Sequence, residues 1–107
     1  MKKYRVHPDN NVKGWVYMTI SNNKKKKQYV AVDDDKGVLH IKNHLHCRSH
    51  TVFSFTDITV NYNYKESSIE LFANGILVIL YLHSNDRFLY WSRNLNDRLI
   101  QWTFTTE

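Results

Sequence analysis

Seven short runs rich in β-branched and aromatic residues recur along the chain, and clusters of Asn, Asp, Ser and Lys separate them. Within the runs the hydrophobic period is two: in the first, Val16 and Met18 share one face while Trp15 and Tyr17 share the other. This alternation is typical of half-buried β-strands. The runs span residues 14–20, 29–32, 38–41, 51–55, 58–64, 69–72 and 76–82. The pattern predicts an all-β sandwich or barrel.

A tight turn is predicted between the last two runs. Asn74-Gly75 separates residues 69–72 from residues 76–82. A two-residue hairpin turn of type I′ needs positive φ at both central residues, and Asn followed by Gly adopts this conformation at low cost. The last two strands are therefore predicted to pair directly.

After residue 82 the hydrophobic period changes to between three and four, which predicts one amphipathic helix. Ser84 or Asn85 can cap its first turn. The apolar stripe of this helix consists of Phe88, Trp91, Leu95, Leu99 and Trp102, and its polar surface includes Arg87, Arg93, Asn94, Asn96 and Asp97. Such a helix can close the apolar mouth of an incompletely closed barrel. The predicted architecture is therefore mainly β: seven antiparallel strands capped by one C-terminal α-helix.

The composition fits one domain over residues 1–107, with a core from about residue 13 to residue 102. With 107 residues, of which 42% are hydrophobic, the chain can bury one core but cannot form a multidomain enzyme. The single cysteine, Cys47, excludes an intrachain disulfide framework. The longest apolar run, residues 76–82, is far shorter than the roughly 20 residues that span a bilayer. We therefore expect a cytoplasmic domain without a membrane span.

Several segments resemble the pleckstrin-homology (PH) domain. They are KGWVY at 13–17, KKQYVAV at 26–32, GVLHI at 37–41, FTDITV at 55–60 and LHSNDRFLYWSRNL at 82–95. The first is similar to the opening strand of that family, and the last is similar to its final strand, helix start and helix tryptophan. The similarity covers about residues 13 to 102.

The resemblance implies a seven-stranded antiparallel PH-like barrel or sandwich with a C-terminal helix, in which Trp91 belongs to the core. In this family the loop between the first two strands grips inositol phosphates, using a Lys at the end of the first strand and an Arg on the second. The family also binds proteins, for example small GTPases or another part of the parent protein. The implied function is a non-catalytic membrane-targeting or adaptor module that associates peripherally with the membrane.

Positive charge is concentrated near the start of the chain. The formal net charge is +5, and residues 1–27 contain eight basic residues against Asp9 alone. Lys24 to Lys27 fall in the predicted turn between the first two strands. In an antiparallel meander the loop after strand three emerges at the same end as this turn, and that loop contains His44, His46, Arg48 and His50. Asp33 to Asp35 fall at the other end, where we expect a solvated turn.

A positive end predicts attraction to anionic lipid, including phosphoinositides. However, Met18 and Gln28 occupy the positions of two pocket cations of the PH family, and only Lys26 matches. Both side chains are predicted to point inward, where neither can form charge-assisted bonds to phosphate. We therefore expect weak binding, or binding on the outer side of the loop. The predicted lipid-binding residues are Lys13, Lys24, Lys25, Lys26, Lys27, Arg48 and Lys65.

Two other classes of partner are alternatives to lipid. Protein binding is the alternative, because Trp15, Tyr17 and Tyr29 are predicted to lie exposed on the outer strand face. Nucleic-acid binding ranks lower, because the aromatic residues are not interleaved with the lysine run along the sequence.

No catalytic residue, metal or cofactor is predicted. The group His40, His44, His46, Cys47 and His50 has irregular spacing, unlike a closed tetrahedral zinc site. Cys47 lacks the accompanying oxyanion element and orienting carboxylate motif of a catalytic nucleophile. The histidines are either inert surface residues or a pH sensor that adds positive charge, and so strengthens lipid binding, between about pH 7 and 6.

Overall fold

The first four strands follow one another as antiparallel neighbours, and the last three join them through the first strand. The computed structural model describes residues 12–42 and 51–104. Its strands are β1 (Lys13–Ile20), β2 (Lys26–Asp33), β3 (Val38–Lys42), β4 (Thr51–Ser54), β5 (Thr59–Asn63), β6 (Ser68–Ala73) and β7 (Ile76–Tyr81), and helix α1 is Asn85–Phe104. The strand order is β4-β3-β2-β1-β7-β6-β5. The predicted seven strands and C-terminal helix are confirmed.

Strand β1 connects the two halves of the sheet because it pairs on both edges. Residues 13–18 pair with β2, and residues 17–20 pair with β7. β4 and β5 lie at opposite ends of the strand order, so the sheet does not close into a continuous barrel. The predicted alternation in β1 is confirmed: Val16 and Met18 are fully buried, while Trp15 and Tyr17 are exposed on the outer face.

The Asn74-Gly75 turn forms the predicted hairpin between β6 and β7. Asn74 has φ 54° and Gly75 has φ 76°, and the flanking residues Ala73 and Ile76 pair directly. Positive φ at both central residues is the requirement of a type I′ turn. The backbone N–H of Ser21 donates to the carbonyl of Leu77 at 2.8 Å, which ties the start of the β1–β2 loop to β7, close to this turn.

Helix α1 begins at a capped turn and buries one stripe. The Ser84 hydroxyl accepts a hydrogen bond from the backbone N–H of Arg87 at 3.2 Å, so Ser84 is the N-cap. Phe88, Trp91 and Leu95 are buried in the core. The Arg87 guanidinium donates to the carbonyl of Trp15 at 2.8 Å and fastens the first turn to β1. α1 lacks the combination of length and apolar character that a membrane span requires.

The second half of α1 is held by a buried ion pair. Arg98 is fully buried, and its Nε and Nη2 atoms donate to the two carboxylate oxygens of Asp34 at 2.9 and 3.0 Å. Its Nη1 atom donates to the backbone and side-chain oxygens of Asn94 at 3.1 and 3.2 Å. Two expectations are thereby corrected. Asp34 belongs to an ion pair rather than to a solvated turn, and Asn94 is buried because its side chain is part of this network.

The last turns of α1 lie over the turn between β2 and β3. A Cβ atom added at Gly37 would lie 2.6 Å from two ring atoms of Trp102. Gly37 also has φ 68°, a conformation that L side chains adopt at a cost. Glycine at this position therefore permits both the backbone path and the close approach of the indole.

We expect Gly37→Ala to lower the free energy of unfolding by about 3 kcal/mol, since it combines positive-φ strain with steric overlap in a packed site. Gly75→Ala is the matched control: Gly75 also has positive φ, but nothing lies within 4 Å of the added Cβ. The control should lose only about 1 kcal/mol. Urea unfolding measures both values, and equal losses would contradict the role assigned to Trp102.

We expect Asp34→Asn to lower the free energy of unfolding by about 2 to 4 kcal/mol, because it removes the anionic charge that accepts two hydrogen bonds from the buried guanidinium of Arg98. The neighbouring Asp35→Asn changes the same charge at an exposed position and should cost less than about 0.5 kcal/mol. Thermal and urea unfolding of the two variants provides the comparison. An Asp34→Asn protein as stable as the Asp35→Asn protein would show that the ion pair does not hold α1.

Candidate functional site

Four lysines cluster at the tip of the β1–β2 hairpin. Lys24 and Lys25 lie in the loop, Lys26 and Lys27 open β2, and all four side chains are exposed. Ser21 and Asn22 have φ 53° and 65°, and the backbone N–H of Asn23 donates to the carbonyl of Ile20 at 3.0 Å. The residues that turn the chain thus come before the lysines, which follow in extended or irregular backbone.

The strand register divides these lysines between two sides of the sheet. Lys26 is paired with buried Met18 and Lys27 with exposed Tyr17, so Lys26 lies on the inner side and Lys27 on the outer side. The Lys27 Nζ lies 5.7 Å from the ring centroid of Tyr17. The Lys25 Nζ lies 4.1 Å from the ring centroid of Tyr81 on β7. Two of the four charges therefore lie over aromatic rings of the outer face.

The inner side next to the loop is filled by uncharged side chains. Met18 is fully buried and Gln28 is 6% exposed, so the predicted inward orientation of both residues is confirmed. A buried thioether and a buried neutral amide offer no positive charge to a phosphate group. Lys26 is the one cation that β2 contributes to this side near the loop.

The other predicted lipid-binding residues do not join this cluster in the part of the chain that the structure describes. Lys13 begins β1, five residues before Met18, which is about 17 Å along a strand. Lys65 lies in the β5–β6 turn, at the end of β6 opposite the Asn74-Gly75 turn. Arg48, Cys47 and the histidines at 44, 46 and 50 lie outside the described residues.

His40 is the member of the predicted histidine group that falls on described backbone. It lies on β3 opposite Val52, and its Nε2 atom is 4.0 Å from a carboxylate oxygen of Asp33. Within residues 12–42 and 51–104, no group of three or more His, Cys, Asp or Glu side chains is arranged to hold a metal ion.

The outer face of the central strands carries an aromatic cluster. Trp15 is 39% exposed, and its ring meets that of Tyr29 edge to face at a centroid distance of 5.3 Å. Tyr17 is 41% exposed, is paired with Tyr81 across β1 and β7, and contacts the ring of His83 at 5.7 Å. We call Trp15, Tyr17, Tyr29 and Tyr81 the outer aromatic cluster. The expected exposure of Trp15 and Tyr17 is confirmed, whereas Tyr29 is half-buried.

Sequence reasoning missed two features of the structure. Lys25 and Lys27 reach rings on neighbouring strands, a proximity that the linear order of residues does not show. Arg98, in contrast, had a readable signal. It lies seven residues after Trp91 and three after Leu95, within the apolar stripe of α1, and a cation at such a position requires a buried acidic partner.

An open cleft of about 250 Å³ lies between β5 and α1. It is lined by Tyr62, Tyr64, Ser92, Arg93 and Asn96. The Tyr62 hydroxyl is buried without a hydrogen-bond partner. Burial, assisted by the neighbouring Tyr64 and Asp97, raises the pKa of Tyr62 to about 12. The hydroxyl therefore keeps its proton in the range above pH 10, where an unperturbed tyrosine ionises.

Comparison with solved structures finds the same fold in human PH domains. The PH domain of oxysterol binding protein-related protein 11 is similar with a TM-score of 0.77 at 12% identity, over 98% of this chain and 92% of that one. The PH domain of TBC1 domain family member 2 gives 0.72 at 10% identity, over 94% and 89%. The N-terminal PH domain of ARAP2 gives 0.69 at 16% identity, over 91% and 85%. No family model and no curated protein sequence matches the chain.

We expect Tyr62→Phe to leave stability unchanged or to raise it by about 1 kcal/mol, because the variant loses a hydroxyl that is buried without a partner. The raised pKa also gives a pH signature. The folded state retains the proton above pH 10, so the free energy of unfolding of the wild type should fall between about pH 10 and 12. Urea unfolding at several pH values should show a smaller fall in Tyr62→Phe. Equal falls in both proteins would contradict the assignment.

Proposed function

From the PH-domain fold of this chain, we propose that it is a non-catalytic module. The module binds anionic phospholipid weakly, at the outer side of the β1–β2 loop. The fold supports a module for lipid or protein binding. Phosphoinositide head groups are the expected ligands, and peripheral association with a cytoplasmic membrane surface is the expected location. The observation that carries the proposal is the concentration of Lys24 to Lys27 at the hairpin tip.

The amount of charge argues for weak binding. Each Lys near an anionic surface contributes about 1 kcal/mol, so four contribute about 4 kcal/mol. Treated as a simple affinity, this energy corresponds to a dissociation constant near the millimolar range. Stable recruitment would then require a second contact, such as another membrane-binding domain or a second copy.

The placement of the charge argues for the outer side. Met18 and Gln28 fill the inner side without offering a cation, whereas Lys25 and Lys27 extend over the outer face. Cation–π contacts at exposed sites are worth about 0.5–1 kcal/mol, so these ammonium groups can leave their rings for a phosphate at small cost. The other candidate contributors to lipid binding are Lys13, Arg48 and Lys65. Single substitutions measure the contribution of each to the partition coefficient.

Liposome co-sedimentation tests the proposal with phosphatidylcholine vesicles, alone and with added phosphatidylserine or phosphoinositide. The protein should pellet with anionic vesicles at low salt and be released at about 1 M salt, where the Debye length is about 3 Å. Lys25→Ser with Lys27→Ser should lower the partition coefficient about 30-fold, the equivalent of about 2 kcal/mol.

Lys36→Ser with Arg93→Ser is the matched control, since it removes two charges from exposed positions outside the loop. At about 0.1 M salt this control should change partitioning by less than about 3-fold, because the Debye length is then about 10 Å and both charges lie outside the loop. Absence of pelleting at low salt would overturn the lipid proposal. An equal effect of both double variants would show that net charge, and not the loop, attracts the membrane.

A further inference from the structure

We propose that the outer face of strands β3, β2, β1 and β7 binds single-stranded nucleic acid, with bases stacking on the outer aromatic cluster and phosphates pairing with lysines around it. The inference does not rest on the proposed lipid function. It starts from a finding that the linear sequence conceals: strand pairing places lysines beside aromatic residues of other strands on one surface of the folded sheet.

The strand register arranges this surface in rows. Lys42, Tyr29 and Trp15 occupy one row on β3, β2 and β1. Lys27, Tyr17 and Tyr81 occupy the next row on β2, β1 and β7. Rows on one face of a sheet are about 6.6 Å apart along the strands, and neighbouring strands are about 4.8 Å apart. The four aromatic residues therefore occupy neighbouring positions on three strands of one face.

Nucleic-acid bases can stack on this face, because stacking requires an exposed aromatic ring that the sheet beneath holds in place. Trp15 and Tyr17 are 39% and 41% exposed, and β1, which holds both, is paired on both edges. Every base has a π-face, so stacking on such rings tolerates any sequence. Aromatic residues on the open face of a β-sheet can stack two or three bases of a single strand.

The charge on this face fits a polyanion. Lys13 pairs with Ala31 and so lies on the same face as Lys27 and Lys42, and Lys25 reaches the face from the loop. Of the charged residues on these four strands, Asp33 is the acid on this face, and it lies 4.0 Å from His40. Four lysines around four rings thus give the face a net positive charge.

The lysines that lie over rings exchange their aromatic partner for a phosphate when nucleic acid binds. Lys25 over Tyr81 and Lys27 over Tyr17 make cation–π contacts, which are weaker than the stacking of a base on the same ring. An arriving base displaces the ammonium group, which then pairs with a phosphate beside that base. Lysine is depleted from the cores of protein–protein interfaces, so lysines among these rings favour a polyanion over a protein partner.

Filter binding and fluorescence anisotropy test the proposal with labelled oligo(dT) and oligo(U) of about 12 nucleotides. The wild type should bind both single strands more tightly than a DNA duplex of the same length, since a duplex hides its base faces. Contacts to four phosphates predict a slope of about −2.8 in a plot of log K against log salt. Lys25→Ser with Lys27→Ser should reduce this slope by about 1.4.

Trp15→Ala with Tyr17→Ala should weaken single-strand binding at least about 10-fold at constant salt slope. Trp15→Phe with Tyr17→Phe keeps the rings and should retain most of the affinity, so this pair separates stacking from folding. Tyr64→Ala is the matched control, because Tyr64 is a highly exposed ring outside the face. Circular dichroism establishes that each variant is folded before its affinity is measured.

Failure of the wild type to bind single strands at low salt would overturn the proposal. Equal affinity for single strand and duplex, or an unchanged affinity in Trp15→Ala with Tyr17→Ala, would show attraction by charge alone and would also overturn it. If the aromatic variant instead loses liposome binding and retains oligonucleotide binding, the face is a membrane surface. Because liposomes and oligonucleotides are measured separately, failure of one proposal is distinguishable from failure of the other.

Discussion

The buried guanidinium of Arg98 is the constraint around which the C-terminal half of the fold is arranged. A charge that is fully withdrawn from water is tolerated only where its donors are satisfied, and here Asp34 and Asn94 accept from all three nitrogens. Asp34 lies in the β2–β3 turn, so the ion pair fixes where α1 crosses the sheet. Trp102 then lies against Gly37 in the same turn, and Trp91 reaches Gly14 on β1.

Strand β1 contributes residues both to the core beneath α1 and to the candidate binding surfaces. Its inward residues, Val16 and Met18, belong to the core that α1 covers, and its outward residues, Trp15 and Tyr17, belong to the outer aromatic cluster. Because side chains alternate along a strand, a rigid core fixes the position of the outer rings as well. The same alternation divides the lysine run, so that Lys26 lies on the inner side while Lys27 joins the outer face.

Much of the fold followed from local patterns in the sequence. The period of two, the Asn74-Gly75 turn and the change of period at residue 82 each report local backbone geometry, and the structure contains the elements that they predicted. The expectation of a solvated acidic turn was wrong for Asp34, because its partner Arg98 is 64 residues away along the chain. The hydrophobic period places Arg98 on the buried stripe of α1, but it does not identify Asp34 as the partner.

The sequence by itself determined the seven strands and their succession along the chain, the single helix, the basic hairpin tip and the lack of pocket cations at Met18 and Gln28. These properties depend on residue type and on spacing within one or two elements. The tertiary structure decided which lysines share a surface with which rings, and that Lys13 and Lys65 lie away from the loop. Strand pairing brings together residues such as Lys25 and Tyr81 that are far apart along the chain, and only the register specifies those neighbours.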